Sequence, residues 1–202
     1  MYLASSSIVK DIIDHCKPNP SLACAYFFFD ARDSQKALQL HENLIKSLIL
    51  QFCDQCDGMP APVVELYMEC SKGHMQPSID SLTNTLQHVL CAFEQAYIII
   101  DSLDECTDRA KLLKWIGKMA SWKEGRLHML TTSRQEQDIE GHLKSLNPST
   151  LCIAEESDNG DIRTYINWML QTDVSLSRWD KETQDNIMGT LMEGAQGMYA
   201  CF

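Results

Sequence analysis

The stretch from residue 97 to residue 106 constrains the fold more than any other part of the sequence. Residues 97–100 are Tyr-Ile-Ile-Ile, a run that is too short for a helix and typical of a strand buried on both faces. The acidic residues Asp101, Asp104 and Glu105 follow at once. Because ligands of open parallel sheets bind beyond the carboxyl ends of the strands, we expect Asp101 to face a ligand site and hold a cation. The alternative is an ordinary buried strand followed by an acidic turn.

Composition limits the classes of partner. The chain has 202 residues, of which 45% are hydrophobic and 22% charged, and this fits one substantial folded domain. Its formal net charge is −11, and without a basic patch we do not expect it to bind nucleic acid. We expect no membrane partner and a cytoplasmic location, since no apolar stretch approaches the roughly 20 residues that span a bilayer.

The nine cysteines are scattered without the spacing of a disulfide framework. An odd number of cysteines in mostly apolar segments indicates reduced core thiols. Cys53-x-x-Cys56, followed by Cys70 and His74, has the spacing of a possible zinc site. Because Cys53 continues the apolar face of a predicted helix, we favour packing over metal binding.

Strand and helix patterns alternate along the chain. Apolar runs predict strands at residues 23–29, 97–100, 127–130 and 151–153. Helical spacing predicts helices at residues 3–16, 35–53, within 59–76, 79–93, after 107–108, from about 160, and around 187–191. Ser78 or Asp80 can cap the helix that leads into the strand at Tyr97. This alternation predicts an α/β fold with a parallel sheet flanked by helices.

Four motifs follow one another along the sequence. They are Tyr26-Phe27-Phe28-Phe29-Asp30 with Arg32-Asp33-Ser34, residues 98–106, Leu130-Thr131-Thr132-Ser133-Arg134, and Gly197-Met198-Tyr199. In order and spacing the series resembles the STAND class of P-loop NTPases, specifically the fungal NACHT and nephrocystin-like N-terminal group. The resemblance implies that residues 1–154 form a partial P-loop NTPase core and that residues 155–202 begin a helical lid segment.

The resemblance also implies roles for four residues. Asp101 would be the Walker B acid that holds Mg²⁺, and Asp104 or Glu105 would orient the attacking water. Arg134 would be the sensor that reaches the terminal phosphate, a task that suits a planar guanidinium. The implied cofactors are Mg²⁺ with ATP or GTP, and the implied function is a nucleotide-dependent signalling switch. Gln135 stands where the group usually has proline.

The phosphate-binding loop of the family, G-x-x-x-x-G-K-[ST], is the main departure. It should directly precede the helix near Leu3, together with the first strand of the sheet, and neither is found in the sequence. Residues 197–202 resemble the start of a helix that the family continues towards repeat modules. We therefore expect a truncated domain that is not catalytic and binds no nucleotide by itself. The alternative function is a non-catalytic protein-interaction or oligomerisation module, and homo-oligomerisation is a possible partner arrangement.

Overall fold

The structure is a computed structural model that describes residues 2–29, 41–122, 126–134, 136–146, 160–173, 176–194 and 200–201. Its helices are α1 (Tyr2–Cys16), α2 (His41–Cys53), α3 (Ala61–Glu69), α4 (Ile79–Leu90), α5 (Arg109–Ala120), α6 (Gln137–Lys144), α7 (Gly160–Thr172) and α8 (Lys181–Gly194). Its strands are β1 (Leu22–Phe28), β2 (Gln95–Asp101), β3 (Leu127–Thr132) and β4 (Ala200–Cys201). Within these residues, no helix combines the length and the apolar character needed to cross a lipid bilayer.

The strands form one sheet in the order β1-β2-β3-β4. The first three are parallel, with Phe27 of β1 opposite Ile100 of β2 and Ile100 opposite Thr131 of β3. Helices connect these parallel strands because the chain must cross back over the sheet before each new strand begins. The predicted α/β class and parallel sheet are therefore confirmed.

Strand β2 is central and buried on both faces, as its isoleucine run predicts. Ile98 and Ile100 belong to the larger core cluster, which contains residues of α2, α4 and α5. Ile99 points to the other face and packs with Val9 and Cys16 of α1. Alternation along a strand sends neighbouring side chains to opposite faces, and full burial of each isoleucine contributes about 1.5–3 kcal/mol. The strand end that carries Asp101 is thus fixed from both sides.

Local sequence signals account for several helix boundaries. The Ser78 hydroxyl accepts the Ser81 N–H at 3.1 Å and caps α4, as one of the two predicted candidates. Helix α6 was not predicted, although Ile139 and Leu143 are spaced four apart and are both buried. Its length of 8 residues gives too few turns for a clear periodic pattern.

One prediction at the carboxyl end of the sequence is wrong. Residues 197–202 were expected to begin a helix, but Ala200–Cys201 form β4, which pairs antiparallel with Thr131 and Thr132 of β3. The edge of β3 offers main-chain N–H and C=O groups, and Ala200 and Cys201 pair with it. The predicted strand at 151–153, the motif residues 30–34 and 197–199, and Gln135 lie outside the described residues.

Candidate functional site

The carboxyl ends of β2 and β3 bring together a buried acid and a hydroxyl. Asp101 is the last residue of β2 and its side chain is fully buried. The hydroxyl of Thr132, the last residue of β3, donates to Asp101 Oδ1 and accepts the Ser102 N–H at 3.1 Å. A hydrogen bond to a carboxylate in a buried setting is stronger than one between neutral groups. Thr132 therefore fixes the orientation of the Asp101 carboxylate.

Ser102 turns the chain away from β2. Its φ of 60° and ψ of 54° lie in the left-handed region, which costs a non-glycine residue roughly 1–2 kcal/mol. Its hydroxyl lies 3.4 Å from Asp101 Oδ2. The 3-10 turn Leu103–Glu105 follows and is anchored by the fully buried Leu103. The left-handed residue and its anchor direct Asp104 towards the end of β3.

Asp104 contacts the residues that follow β3. Its Oδ1 accepts the main-chain N–H of Arg134 at 3.0 Å and lies 3.4 Å from the Ser133 hydroxyl. Its Oδ2 lies 3.5 Å from Arg134 Nε, and the Asp104 side chain is only 6% exposed, whereas that of Arg134 is 64% exposed. The main-chain amide thus holds the carboxylate while the guanidinium stays at the surface.

Arg109 links the acidic turn to α6. Its Nη2 donates to the Asp104 carbonyl at 3.1 Å, and its Nη1 lies 3.1 Å from Asp138 Oδ1 and 3.5 Å from Glu136 Oε2. Arg109 therefore ties the main chain at Asp104 to the residues at the start of α6.

The structure thus places Asp101, Asp104 and Arg134 together at the carboxyl ends of β2 and β3. Glu105 is half-buried at the end of the turn, where its N–H donates to the Ser102 carbonyl at 3.0 Å. Sequence reasoning assigned no role to Thr132. The signal that could have found it is the polar end of β3, since the register Ile100–Thr131 places Thr132 beside Asp101.

A buried histidine lies at the start of α2. His41 is 2% exposed, its Nδ1 has no hydrogen-bond partner, and the same atom lies 4.0 Å from Asp108 Oδ2. Burial lowers the pKa of His41, and the nearby Asp108 carboxylate partly opposes that shift. His41 is therefore a titratable group whose charged form the folded protein disfavours.

The described acidic residues at the carboxyl end of β2 can take part in only one kind of metal site. Carboxylate oxygens are ligands that Mg²⁺ prefers, and a nucleotide-bound Mg²⁺ uses one or two carboxylates together with phosphate oxygens. Among the described residues, no group of three or more His, Cys, Asp or Glu side chains could hold a metal by itself. Asp101 therefore fits a site in which one or two carboxylates share Mg²⁺ with the phosphate oxygens of a nucleotide. Cys53, Cys56 and Cys70 are free thiols, and burial raises the pKa of Cys53 and Cys56.

The three parallel strands with helices on both faces define an α/β domain of P-loop-like architecture, in which the described residues lack one strand. Residues 4–134 match the family model described as nephrocystin 3, N-terminal, and this match covers more than half of the chain. The protein therefore belongs to the nephrocystin 3 N-terminal family, and the matched region includes β1, β2, β3 and the acidic turn. Searches of curated proteins and of solved structures found no match.

Proposed function

We propose that this chain contains the Walker B and sensor residues of a nucleotide-dependent signalling switch of the NACHT and STAND type. The ligand would be ATP or GTP with Mg²⁺. The observation that carries the proposal is the fully buried Asp101 carboxylate at the end of the central parallel strand, bonded to Thr132 of the neighbouring strand. An acid in this position lies where ligands of open α/β sheets bind.

Asp101 would hold the metal ion, and Thr132 would keep its carboxylate in the required orientation. When bound, Mg²⁺ would neutralise part of the negative charge on the phosphate oxygens. A carboxylate held by a buried hydroxyl needs little reorganisation before it binds a cation. Thr132 is therefore a positioning residue in this proposal, and Asp101 is the ligand.

Arg134 would bind the terminal phosphate and Asp104 or Glu105 would orient the attacking water. The Asp104 carboxylate is held by the Arg134 main-chain N–H, so the guanidinium can leave Asp104 without releasing that bond. Loss of a surface ion pair costs at most about 1 kcal/mol, and the Arg134 side chain is 64% exposed. Moving the Arg134 guanidinium from Asp104 to a phosphate would therefore require little free energy and could serve as a local switch.

The proposal requires a phosphate-binding loop, and the 202 residues contain no G-x-x-x-x-G-K-[ST] sequence. Such a loop supplies the backbone N–H groups and the lysine that neutralise the phosphates. A chain with a net charge of −11 offers little other attraction for a nucleotide. Nucleotide binding is therefore proposed for the domain that includes such a loop, and the 202 residues alone should bind MgATP very weakly.

Isothermal titration with MgATP and MgGTP tests the proposal. The protein used is a chain extended upstream to include a phosphate-binding loop. Three forms of it are compared: the wild type, Asp101→Asn and Asp14→Asn. Asp14 is a matched control because it is half exposed, pairs with Lys17 at 2.7 Å and lies on α1, at the opposite end of the sheet.

We expect Mg²⁺-dependent binding in the wild type and in Asp14→Asn, weakened about tenfold or more in a folded Asp101→Asn. Equal binding by all three proteins would contradict the role of Asp101. No binding by any extended chain would favour the interaction module instead.

A further inference from the structure

Two glutamine side chains cap the outer edge of β1. Gln51 Oε1 accepts the Tyr26 N–H at 3.0 Å, and its Nε2 donates to the Tyr26 carbonyl at 2.8 Å. Gln55 forms the same pair of hydrogen bonds with Cys24, at 3.1 Å and 2.9 Å. A neighbouring strand would use these same four main-chain groups. The two amides therefore take the place of a further strand.

The spacing of the two glutamines matches that of the strand. Gln51 lies on α2 and Gln55 in the turn after it, where the Gln55 N–H donates to the Phe52 carbonyl at 3.1 Å. Four helical residues rise about 6 Å, and two strand residues advance about 6.6 Å. Because alternate residues of a strand direct their main-chain groups to the same edge, both amides fit without distortion of β1.

Further hydrogen bonds fix the orientation of both amides. Gln51 Nε2 also donates to Ser47 Oγ at 3.1 Å, and Gln55 Nε2 also donates to the Gln51 carbonyl at 2.7 Å. A reversed amide would place its NH₂ group against a main-chain N–H and lose all of these bonds. The cap is therefore an ordered structure and not a chance contact of two surface side chains.

Strand β1 needs protection that its own sequence does not supply. It is Leu-Ala-Cys-Ala-Tyr-Phe-Phe, an uncharged segment rich in aromatic residues, of the kind that promotes strand pairing between molecules. Sheet edges are commonly protected by lysine, proline or a bulge, and β1 contains neither lysine nor proline. A groove of about 430 Å³ borders the cap and is lined by Gln51, Asp54 and Gln55, so this edge is reachable from solvent.

We propose that Gln51 and Gln55 form an edge cap that prevents β1 from pairing with β1 of a second copy of this chain. A second copy suits the edge because Cys24 and Tyr26 lie symmetrically about Ala25. In an antiparallel pair related by a two-fold axis at Ala25, Cys24 of each chain would face Tyr26 of the other. Such a contact uses the same patch twice and closes as a dimer.

The central test is the double variant Gln51→Ala/Gln55→Ala in the full chain, studied by sedimentation velocity over a range of concentrations. We expect self-association at least about tenfold tighter than in the wild type, since one net hydrogen bond changes an equilibrium about fivefold. Hydrogen exchange by NMR should show the Cys24 and Tyr26 amides exchanging faster than in the wild type at low concentration. In the double variant, both amides should regain protection from exchange at high protein concentration, when β1 of one copy pairs with β1 of another.

Matched variants separate the cap from general stability. Gln51→Lys/Gln55→Lys removes the same amide bonds but places charges at the edge, so we expect a monomer whose two amides exchange fast at every concentration. Gln76→Ala removes an exposed amide that accepts from Lys46 of α2 at 3.0 Å, so it should behave as wild type.

Two outcomes would overturn the proposal. A monomeric double alanine variant with fast exchange at Cys24 and Tyr26 would overturn the proposal, because an open edge would then not pair. Equal association of the lysine and alanine variants would also overturn it, because association would then follow from lost stability. If the double alanine variant does not fold, Gln55→Ala alone, read at the Cys24 amide, provides the same test.

Discussion

Asp104 accepts the main-chain N–H of Arg134 at 3.0 Å, and Arg134 Nε lies 3.5 Å from the other carboxylate oxygen. The link between the turn after β2 and the end of β3 therefore has two parts, of which only one uses the arginine side chain. Both parts end on the Asp104 carboxylate, whose side chain is 6% exposed, whereas the Arg134 side chain is 64% exposed. Asp104 is consequently a structural residue as well as a candidate acid.

The first prediction separates these two parts by mutation. Asp104→Ala should lower the free energy of unfolding by about 1–3 kcal/mol, because it removes the charged acceptor of the Arg134 main-chain N–H. Arg134→Ala should lower it by less than about 1 kcal/mol, because the lost guanidinium is largely solvated and the main-chain N–H still donates to Asp104. Urea denaturation followed by circular dichroism measures both values. Equal losses in the two variants would mean that the side-chain ion pair carries the link.

The second prediction concerns the hydroxyl of Thr132. Thr132→Val keeps the shape of the side chain but leaves the Asp101 carboxylate and the Ser102 N–H without this partner. We expect a loss of about 2–4 kcal/mol, because removing one partner of a buried charge is costly. Thr132→Ser keeps the hydroxyl and should lose less than about 1.5 kcal/mol. A valine variant as stable as the serine variant in urea would show that the hydroxyl does not support Asp101.

The sequence predicts the parts of the fold that depend on local pattern. The isoleucines at 98–100 alternate between two cores, and the strand ends where the acidic residues begin. Helix α6 and the two-residue β4 are too short to leave such a pattern. Strand β4 depends on the open edge of β3, which no local signal reports. The glutamine cap is hidden for the same reason, because Gln51 meets Tyr26, and Gln55 meets Cys24, only after folding.

The candidate site also contains some residues that the sequence predicts and others that depend on the folded geometry. Asp101 and Arg134 could be placed from the sequence because each lies at or just beyond the end of a recognisable strand. The left-handed conformation of Ser102 and the contact of Arg109 with the Asp104 carbonyl depend on turn geometry. The role of Thr132 depends on the register between β2 and β3, which periodicity does not fix.

The third prediction concerns thiol reactivity. The thiolate is the reactive form of cysteine, and burial raises the pKa of Cys24 to about 12 and that of Cys106 to about 11. Cys91 is exposed. Brief alkylation of the folded protein at pH 8, followed by peptide mass spectrometry, should label Cys91 well before Cys24 and Cys106. As a control, all three cysteines should be labelled at the same rate when the protein is unfolded in denaturant. Early labelling of Cys24 in the folded protein would contradict its burial.

The fourth prediction follows from the lowered pKa of His41. Burial is its main cause, Asp108 and Glu42 oppose it, and Lys111 adds to it. The unfolded chain binds a proton at a pH near the ordinary histidine value of 6.5, whereas folded His41 binds it only at a lower pH. Between these two values the unfolded state holds more protons, so the free energy of unfolding should fall as the pH falls through 6.5.

Urea denaturation of the full chain at pH 7.5, 6.5 and 5.5 tests this prediction, with His41→Gln and His74→Gln as a pair. The slope due to His41 is at most about 1.4 kcal/mol per pH unit. His41→Gln should lose that part of the pH dependence, because glutamine carries no proton to exchange. His74 is exposed, so His74→Gln should keep the slope of the wild type. A slope that survives in His41→Gln would mean that another group is responsible for the acid sensitivity.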